Sequence, residues 1–395
     1  MITDPYLLVL NVPLHRHGGK YWADPLWRKD LAGHLVEIAH LSLACPVRNG
    51  PPPDGWEPLA GLAIRVHPLP AMGKLSYLIF PYLAARLWRA IAAATIVHTG
   101  IVGWPYPLGW IAIPIARWRR KFLVLVVESA FWRIAPGVSI TLPEKARALV
   151  SEPLSRALIR RCDVVFYTTE AYRDTLHVNA AGSAHILPAV WVDGDQLIEQ
   201  SRLADIGPAK GAKLLFAGRL IDDKGVRILL RAIGLSGVPV DLIGDGEMRD
   251  EVRRAQRAHP GTIRLLDPVT YGPAFFELLD RYAALVVPTL SDEQPRIIFD
   301  AFARGVPVLA SATTGNRQVV SDGRNGLLFR PNDANALADI LAQASRSAGS
   351  LAEMGRAALR DMAFRTHAAM HATRARIIAE AFAKRSPART DAPQA

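Results

Sequence analysis

One stretch of this 395-residue chain decides its fold: Leu214-Leu-Phe-Ala-Gly-Arg-Leu-Ile-Asp-Asp-Lys-Gly225. An apolar strand pattern brings Gly218 and Arg219 to its carboxyl end, where ligands bind in open α/β sheets, and Lys224 precedes a helix. The helix end offers backbone N–H groups, while arginine adds a planar fork and lysine a point charge. This combination suits a diphosphate, although an ordinary surface turn could carry the same pair.

A second polar stretch follows a later strand: Pro288-Thr-Leu-Ser-Asp-Glu-Gln-Pro-Arg-Ile-Ile-Phe-Asp300. Asp292 and Glu293 fall in an acidic loop, and Pro295 opens a helix. Asp300 lies in that helix, about 8 Å along its axis from Pro295. Acceptors so separated could hold the hydroxyls of a sugar and of a ribose, or the acids could simply favour the helix dipole.

Outside these stretches, short apolar runs alternate with helical patterns, which predicts parallel sheets covered by helices. The length fits two α/β domains with a cleft between them. The first-half strands are predicted at residues 6–11, 35–40, 95–98, 122–127 and 163–167. After a linker rich in Gly, Asp and Pro at 193–213, strands are predicted at 213–217, 240–243, 263–266, 284–288 and 306–309.

Together, the two polar stretches resemble the retaining glycosyltransferases of family 4. The resemblance also covers Leu242-Ile-Gly-Asp-Gly-Glu247 and the segment 312–331, so that it spans about residues 213–331 in the right order. It implies the GT-B fold, in which two Rossmann-like domains with parallel sheets face a central cleft. The expected divisions are an acceptor-binding domain, a nucleotide-sugar-binding domain, a helix able to reach back to the first domain, and a disordered tail, at 1–188, 189–365, 366–384 and 385–395.

The resemblance assigns roles to the residues of the two stretches. Arg219 and Lys224 would bind the donor diphosphate and stabilise it as it leaves. The family's acidic pair is usually two glutamates with seven residues between them, a spacing that here joins Asp292 to Asp300. Asp292 would then contact the donor sugar, with Glu293 as the alternative, and Asp300 would contact the ribose. Further donor-binding positions are expected at Gly218, Gly244 and Ile297.

In the first domain, Gly18 and Gly19 resemble the family's glycine pair, whose backbone approaches the donor phosphates and the acceptor. A plain turn is the alternative. Glu128 follows the strand 122–127 at a position where many relatives carry a histidine. It is therefore either an acid that replaces the histidine or a strand-end carboxylate without a chemical role.

Two residues are candidates for binding the acceptor, and each also has a purely structural interpretation. His98 ends another predicted strand and is either a functional histidine or a hydrogen-bonded core residue. Trp22 could stack on a sugar face or pack in the core.

Charge and composition bear on partners and location. The formal charge of +11 favours phosphates, an acidic membrane surface or nucleic acid, but interleaved aromatic and basic strand motifs for nucleic acid are missing. Residues 90–116 carry no formal charge, yet their glycines and prolines favour a buried strand and a helix over a membrane span. The basic cluster that follows them could rest on anionic lipid. Two unpaired cysteines and no signal pattern predict a cytoplasmic protein, with contact to the inner membrane face as a further expectation.

The expected partners are therefore a nucleotide sugar and a carbohydrate or lipid-linked saccharide acceptor, as in the synthesis of surface polysaccharide or glycolipid. Neither a cofactor nor a metal is predicted, since the first-domain histidines do not form a spaced ligand set. An epimerase or phosphorylase of the same architecture and a non-catalytic nucleotide-sugar-binding protein remain the alternatives.

Overall fold

In the computed structural model, the described part of the chain comprises residues 1–73, 79–103, 105–130, 132–133, 141–199, 201 and 213–385. The tail 385–395 lies outside it apart from Arg385, as does part of the predicted linker 193–213.

A sheet of ten strands forms the core of the first half. Its strands are β1 (Tyr6–Val9), β2 (Leu14–His17), β3 (Lys20–Ala23), β4 (Leu41–Asn49), β5 (Glu57–Pro58), β6 (Arg65–Leu69), β7 (Ile96–Gly100), β8 (Phe122–Val127), β9 (Val164–Tyr167) and β10 (Ser183–Ile186). Its helices are α1 (Pro25–Glu37), α2 (Phe80–Ala92), α3 (Gly109–Trp118), α4 (Leu142–Ile159) and α5 (Glu170–Leu176). The strand order is β10-β9-β8-β7-β1-β4-β2-β3-β5, and β6 also pairs with β4.

A second sheet of six parallel strands follows. Its strands are β11 (Leu214–Ala217), β12 (Val240–Ile243), β13 (Ile263–Leu266), β14 (Ala284–Val287), β15 (Val308–Ser311) and β16 (Gly326–Phe329), in the order β13-β12-β11-β14-β15-β16. The remaining helices are α6 (Val226–Ser236), α7 (Arg249–Ala258), α8 (Pro273–Leu279), α9 (Ile297–Ala303), α10 (Thr314–Arg317), α11 (Ala334–Arg346), α12 (Ala348–Met362) and α13 (His367–Arg385).

The topology explains both the apolar strands and the position of the cleft. Strands such as β8 and β14 are buried along most of their length because helices cover both faces of a parallel sheet. The strand order reverses direction between β1 and β7 in the first sheet and between β11 and β14 in the second. Ligands of open α/β sheets bind at such reversal points. The predicted α/β class with two mainly parallel sheets is confirmed; within the first sheet β3 pairs antiparallel with β2 and β5.

One predicted strand is wrong. Residues 35–40 were expected to be extended, but α1 continues to Glu37 and the strand β4 begins at Leu41. Asp24 caps α1 through the backbone N–H of Leu26, and Pro25 occupies its first turn, so the helix starts early enough to include Leu35. Leu35 of its last turn packs against the apolar cluster of the first sheet as a helix residue, whereas Val36 is 68% exposed.

Residues 14–23 form an antiparallel hairpin of β2 and β3. Gly18 and Gly19 form its two-residue turn, with φ values of +57° and +74°. Positive φ at both central residues matches the twist of a hairpin and favours glycine.

The last helix, α13, returns to the first domain. Its residues Ala375 and Ile378 are buried in the same apolar cluster as Tyr6 and Leu8 of β1. Of residues 90–116, residues 90–92 belong to α2, 96–100 to β7 and 109–116 to α3. Within the described ranges, no helix combines the length and apolarity needed to cross a membrane.

Candidate active site

A cavity of about 280 Å³ opens at the carboxyl end of the first sheet, where the strand order reverses. The segments after β1, β7 and β8 form one side of it, and the chain entering and following the second domain forms the other. Its walls include Asn11, His98, Gly103, Glu128, Trp191 and Arg374.

The predicted diphosphate residues lie at the matching edge of the second sheet. Gly218 follows β11 and donates a hydrogen bond to the carbonyl of Ile243 at 3.0 Å. A Cβ on Gly244 would come within 1.8 Å of the Gly218 carbonyl oxygen, so the loops after β11 and β12 can approach only because a glycine stands there. Arg219 is exposed beyond this contact, and Lys224 ends a single 3-10 turn directly before α6.

The acidic loop after β14 is attached to the loop that carries Arg219 and Lys224. The carbonyl of Asp223 accepts hydrogen bonds from the Leu290 N–H at 2.9 Å and from the Thr289 hydroxyl at 3.2 Å. Burial raises the pKa of the Asp223 carboxyl. The charge of Lys224 acts to lower this pKa, and the charge of Glu293 acts to raise it further. The cations and the acids of the two sequence stretches therefore share one edge of the sheet.

The two candidate acids of this loop differ in their surroundings. Asp292 accepts hydrogen bonds from the backbone N–H and the hydroxyl of Thr314 at the start of α10. Glu293 accepts a hydrogen bond from the hydroxyl of Ser129, which belongs to the first domain. Glu293 is thus the acid that reaches across the cleft, whereas Asp292 is held within its own domain.

Asp300 is buried in α9 and accepts a hydrogen bond from the Tyr271 hydroxyl at 2.9 Å. Burial raises its pKa to about 7, although the Tyr271 hydroxyl and the charges of Arg296 and Lys29 act in the opposite direction. Ile297, also expected to bind the donor, lies half-buried at the start of the same helix.

Glu128 follows β8 and is solvent-accessible within the cleft cavity. The protein around it desolvates the carboxyl and raises its pKa, against the charges of Arg296 and Arg374. Because Ser129 beside it contacts Glu293, Glu128 stands where the two domains meet. The sequence left two interpretations of Glu128, and this position is compatible with contact to a donor or acceptor.

The remaining first-domain candidates lie in two places. His98 lines the cavity and is also bonded in the core, since its Nδ1 lies 2.8 Å from the Tyr6 hydroxyl. Burial lowers its pKa well below the ordinary value, so its imidazole is neutral at neutral pH. Gly18, Gly19 and Trp22 belong to the hairpin and are not among the residues that line the cavity.

Three side chains of the cleft, those of Trp191, Arg296 and Arg374, were not predicted from the sequence. Arg296 has its guanidinium carbon 5.1 Å from the centre of the Trp191 ring, and Trp191 lines the cavity. Arg374 of α13 is only 9% exposed, and within the described residues its Nε has no hydrogen-bond partner. No motif marks Arg374, because it is one of three arginines in α13, a helix that only the fold brings to the cleft.

Beside Arg374, a buried polar cluster joins α1 to α13. Oδ1 of Asp30 lies 3.3 Å from Nε2 of His367 and 3.1 Å from Nε2 of His371. Nδ1 of His34 lies 2.9 Å from the Asp30 carbonyl oxygen. Burial lowers the pKa of His34 to about 4 and also lowers that of His371. The members in α1 and those in α13 are more than 330 positions apart in the chain, so no sequence pattern marks their proximity.

Comparisons with known proteins identify related chains. Residues 211–347 match the family model described as Glycosyl transferases group 1. The D-inositol 3-phosphate glycosyltransferase of Streptomyces avermitilis is 31% identical over 284 residues, 64% of this chain and 58% of that protein. The lipopolysaccharide core biosynthesis glycosyltransferase LpsE of Rhizobium meliloti is 28% identical over 139 residues, 34% of this chain and 40% of that protein. The chain thus spans between 40% and 58% of the length of these curated relatives.

Solved structures resemble the chain over nearly its full length. Anabaena Alr3699/HepE in complex with UDP superposes with a TM-score of 0.70 at 14% identity, covering 95% of this chain and 100% of that one. Sucrose-phosphate synthase from Thermosynechococcus elongatus gives a TM-score of 0.68 at 20% identity, covering 96% of this chain and 100% of that one. These likenesses show the GT-B fold, with two Rossmann-like domains on either side of a cleft.

Proposed function

We propose that this chain, whose residues 211–347 match the family model Glycosyl transferases group 1, moves a sugar from a nucleoside diphosphate sugar to a saccharide or lipid-linked saccharide, with retention at the anomeric carbon. One observation carries the proposal. The loop with Arg219 and Lys224 and the acidic loop are joined through the carbonyl of Asp223, and Glu293 of the acidic loop accepts a hydrogen bond from Ser129, next to Glu128, across the cleft.

In this proposal each loop acts on a different part of the donor. Arg219 and Lys224 offset the negative charge that grows on the diphosphate as the glycosidic bond breaks, which lowers the barrier more than it strengthens ground-state binding. Glu293 or Asp292 holds the transferred sugar, and Asp300 holds the ribose. The acceptor attacks from the face that the diphosphate leaves, and Glu128 contacts one of the two reacting partners.

The donor and acceptor classes rest on relatives. HepE is described in complex with UDP and with UDP-glucose, which makes a uridine diphosphate sugar the first donor to test. LpsE is named for lipopolysaccharide core biosynthesis, which supports a role in surface polysaccharide or glycolipid synthesis. Because such acceptors are carried on lipid, we place the protein at the cytoplasmic face of a membrane, with the exposed side of α2 and α3 as the contact surface.

Nucleotide binding tests the diphosphate assignment first. Thermal unfolding of the full chain is measured with UDP, GDP, ADP and dTDP, beside the Arg219→Ala/Lys224→Ala double variant. One nucleotide should raise the Tm of the parent chain, because a ligand of the native state stabilises it, and the double variant should lose the shift. A shift that survives in the double variant contradicts the assignment.

Turnover then separates an enzyme from a binding protein. In assays of nucleoside diphosphate release from nucleotide sugars with a membrane-lipid extract as acceptor source, Lys224→Ala should lower the rate by about 10²–10³, the effect of losing one group that stabilises transition-state charge. Lys384→Ala, which changes an exposed lysine on α13, is the matched control.

Nucleotide binding without turnover in the parent chain would favour the non-catalytic alternative, suggested by the aspartates and Glu128 that replace the family's usual residues. For the parent chain, retention is read from the anomeric configuration of the product by NMR.

A further inference from the structure

The buried cluster between α1 and α13 has the shape of a metal site. Nε2 of His367, Nε2 of His371 and Oδ1 of Asp30 form a nearly equilateral triangle with sides of 3.1, 3.1 and 3.3 Å. Two ligand atoms on a tetrahedral zinc ion, each about 2.0–2.1 Å from the metal, lie roughly 3.3 Å apart. The triangle therefore matches one face of a zinc coordination tetrahedron.

Hydrogen bonding explains this triangle less well. A neutral imidazole carries one N–H, so three mutual contacts among two ring nitrogens and one carboxylate oxygen cannot all be linear hydrogen bonds. If both rings donate to Asp30, their hydrogens point at the same oxygen and crowd each other. A cation at the centre of the three atoms would remove this crowding, because each atom then directs a lone pair at the ion.

His34 lies beside this triangle. Its ligand atom is within 4.8 Å of those of Asp30 and His371, in a group that leaves out His367. Its Nδ1 lies 2.9 Å from the Asp30 carbonyl oxygen, and its Nε2 is buried with no hydrogen-bond partner among the described residues. His34 therefore borders the ion position without completing the tetrahedron.

The charge of Asp30 also calls for a cation. The carboxylate is buried, and the ion-pair partners found for it within 4.0 Å in the described part of the chain are imidazoles alone: those of His34, His367 and His371. A buried carboxylate without a fixed positive partner is costly. An imidazole is charged only if it is protonated, whereas a divalent ion carries a fixed positive charge.

The backbone makes room for the cluster. A Cβ on Gly33 would lie 2.8 Å from the His371 ring and 3.0 Å from the His367 ring. Glycine at this position of α1 allows both imidazoles to reach Asp30.

We infer that Asp30, His367 and His371 bind one zinc-class divalent ion that fastens α13 to α1. Two imidazoles and one carboxylate form a donor set that suits zinc. The fourth position is left to water, since Asp30 also lines the cleft cavity. By fixing α13, it fixes Arg374 at the wall of the cleft cavity. This inference is independent of the proposed activity, because ion binding is measured without any sugar substrate.

The test uses the full chain, stripped with a chelator and with any affinity tag removed. Zinc binding is titrated in competition with a chromophoric chelator, and Co²⁺ is added separately. We expect one Zn²⁺ per chain, a higher Tm with zinc than with excess EDTA, and visible Co²⁺ d–d bands of tetrahedral intensity. Absence of saturable uptake of either ion by the parent chain overturns the inference.

Variants locate the ion. Asp30→Asn and His371→Gln keep the side-chain shape and should weaken zinc binding by more than about 100-fold, the upper range seen when only a supporting group is lost. His40→Gln, which changes an exposed histidine of the same domain, should bind as the parent does. Equal binding by all three variants and the parent places the ion elsewhere and refutes the site.

A measurement without variants covers the case in which the buried substitutions prevent folding. Zinc K-edge absorption of the loaded parent chain should show four nitrogen or oxygen ligands, with the outer-shell scattering of imidazole. A sulfur ligand would assign the ion to Cys45 or Cys162 and would equally refute the site.

Discussion

At the scale of single residues, the cleft combines positions that the sequence marks with positions that it leaves unmarked. Arg219, Lys224 and Glu293 were predicted from their motif, and the backbone contacts of Asp223 explain why they lie together. Arg374 could not be predicted, because an arginine in a charged helix has no distinguishing neighbour in the sequence. Whether each residue has its expected role stays a prediction.

The buried carboxyl of Asp300 has a consequence for stability. Its pKa is about 7 in the folded chain and 3.8 as an ordinary carboxyl, so the folded state holds its proton more tightly. The stabilisation this proton gives is complete below about pH 4 and is lost as the pH rises through 7. Tyr271, Arg296 and Lys29 face this group and limit the shift.

From pH 5 to pH 8, the free energy of unfolding of Asp300→Asn should therefore rise by about 2–3 kcal/mol relative to that of the parent. Urea denaturation at the two pH values gives the difference. Asp267→Asn, which changes a fully exposed carboxylate, should follow the parent at both pH values. If the free energy of unfolding changes equally with pH in Asp300→Asn and in the parent, the shifted pKa is contradicted.

At the scale of elements, α2 and α3 present an exposed aromatic and basic surface. Trp118 is 80% exposed at the end of α3, and the Arg119 guanidinium lies 4.7 Å from the ring centre of the half-exposed Trp88 on α2. Arg117 and Arg120 are exposed beside them. Tryptophan and arginine together suit the interface of an anionic bilayer.

Removing this surface should weaken membrane binding. Arg117→Ala/Arg120→Ala should lower partitioning onto phosphatidylglycerol vesicles by about 30-fold, since each basic residue contributes roughly 1 kcal/mol near an anionic surface. Vesicle sedimentation measures the effect, and phosphatidylcholine vesicles should bind neither protein. The control Arg254→Ala/Arg257→Ala removes the same charge from the second domain; if it weakens binding equally, net charge rather than this surface is responsible.

At the scale of the whole molecule, α13 makes the first domain depend on chain that follows the second. Ile378 is 1% exposed and lies in the apolar cluster with Tyr6, Leu8 and Ile96. The stability of the first sheet therefore depends on residues more than 370 positions after β1 begins.

Ile378→Ala should cost about 2–5 kcal/mol, as expected for a large-to-small change in a core. Hydrogen exchange should show the loss of protection in peptides of β1 and β7 and leave β11 and β14 unchanged. Leu235→Ala, at a position 60% exposed in the second domain, is the control. Equal loss of protection in both sheets would mean that the two domains unfold as one unit.

What the sequence by itself determined is local. Apolar runs and the turns after them identify strands, helices and the loop that carries Arg219 and Lys224, because a parallel strand is buried on both faces and its period is visible in a few residues. The strand predicted at 35–40 failed because that run serves equally well as the last turn of a helix capped far upstream. Only the tertiary structure decided which distant side chains meet: Ser129 with Glu293, Arg374 with the cavity, and Asp30 with the histidines of α13. Such contacts depend on how the sheets and the last helix pack, which no local pattern encodes.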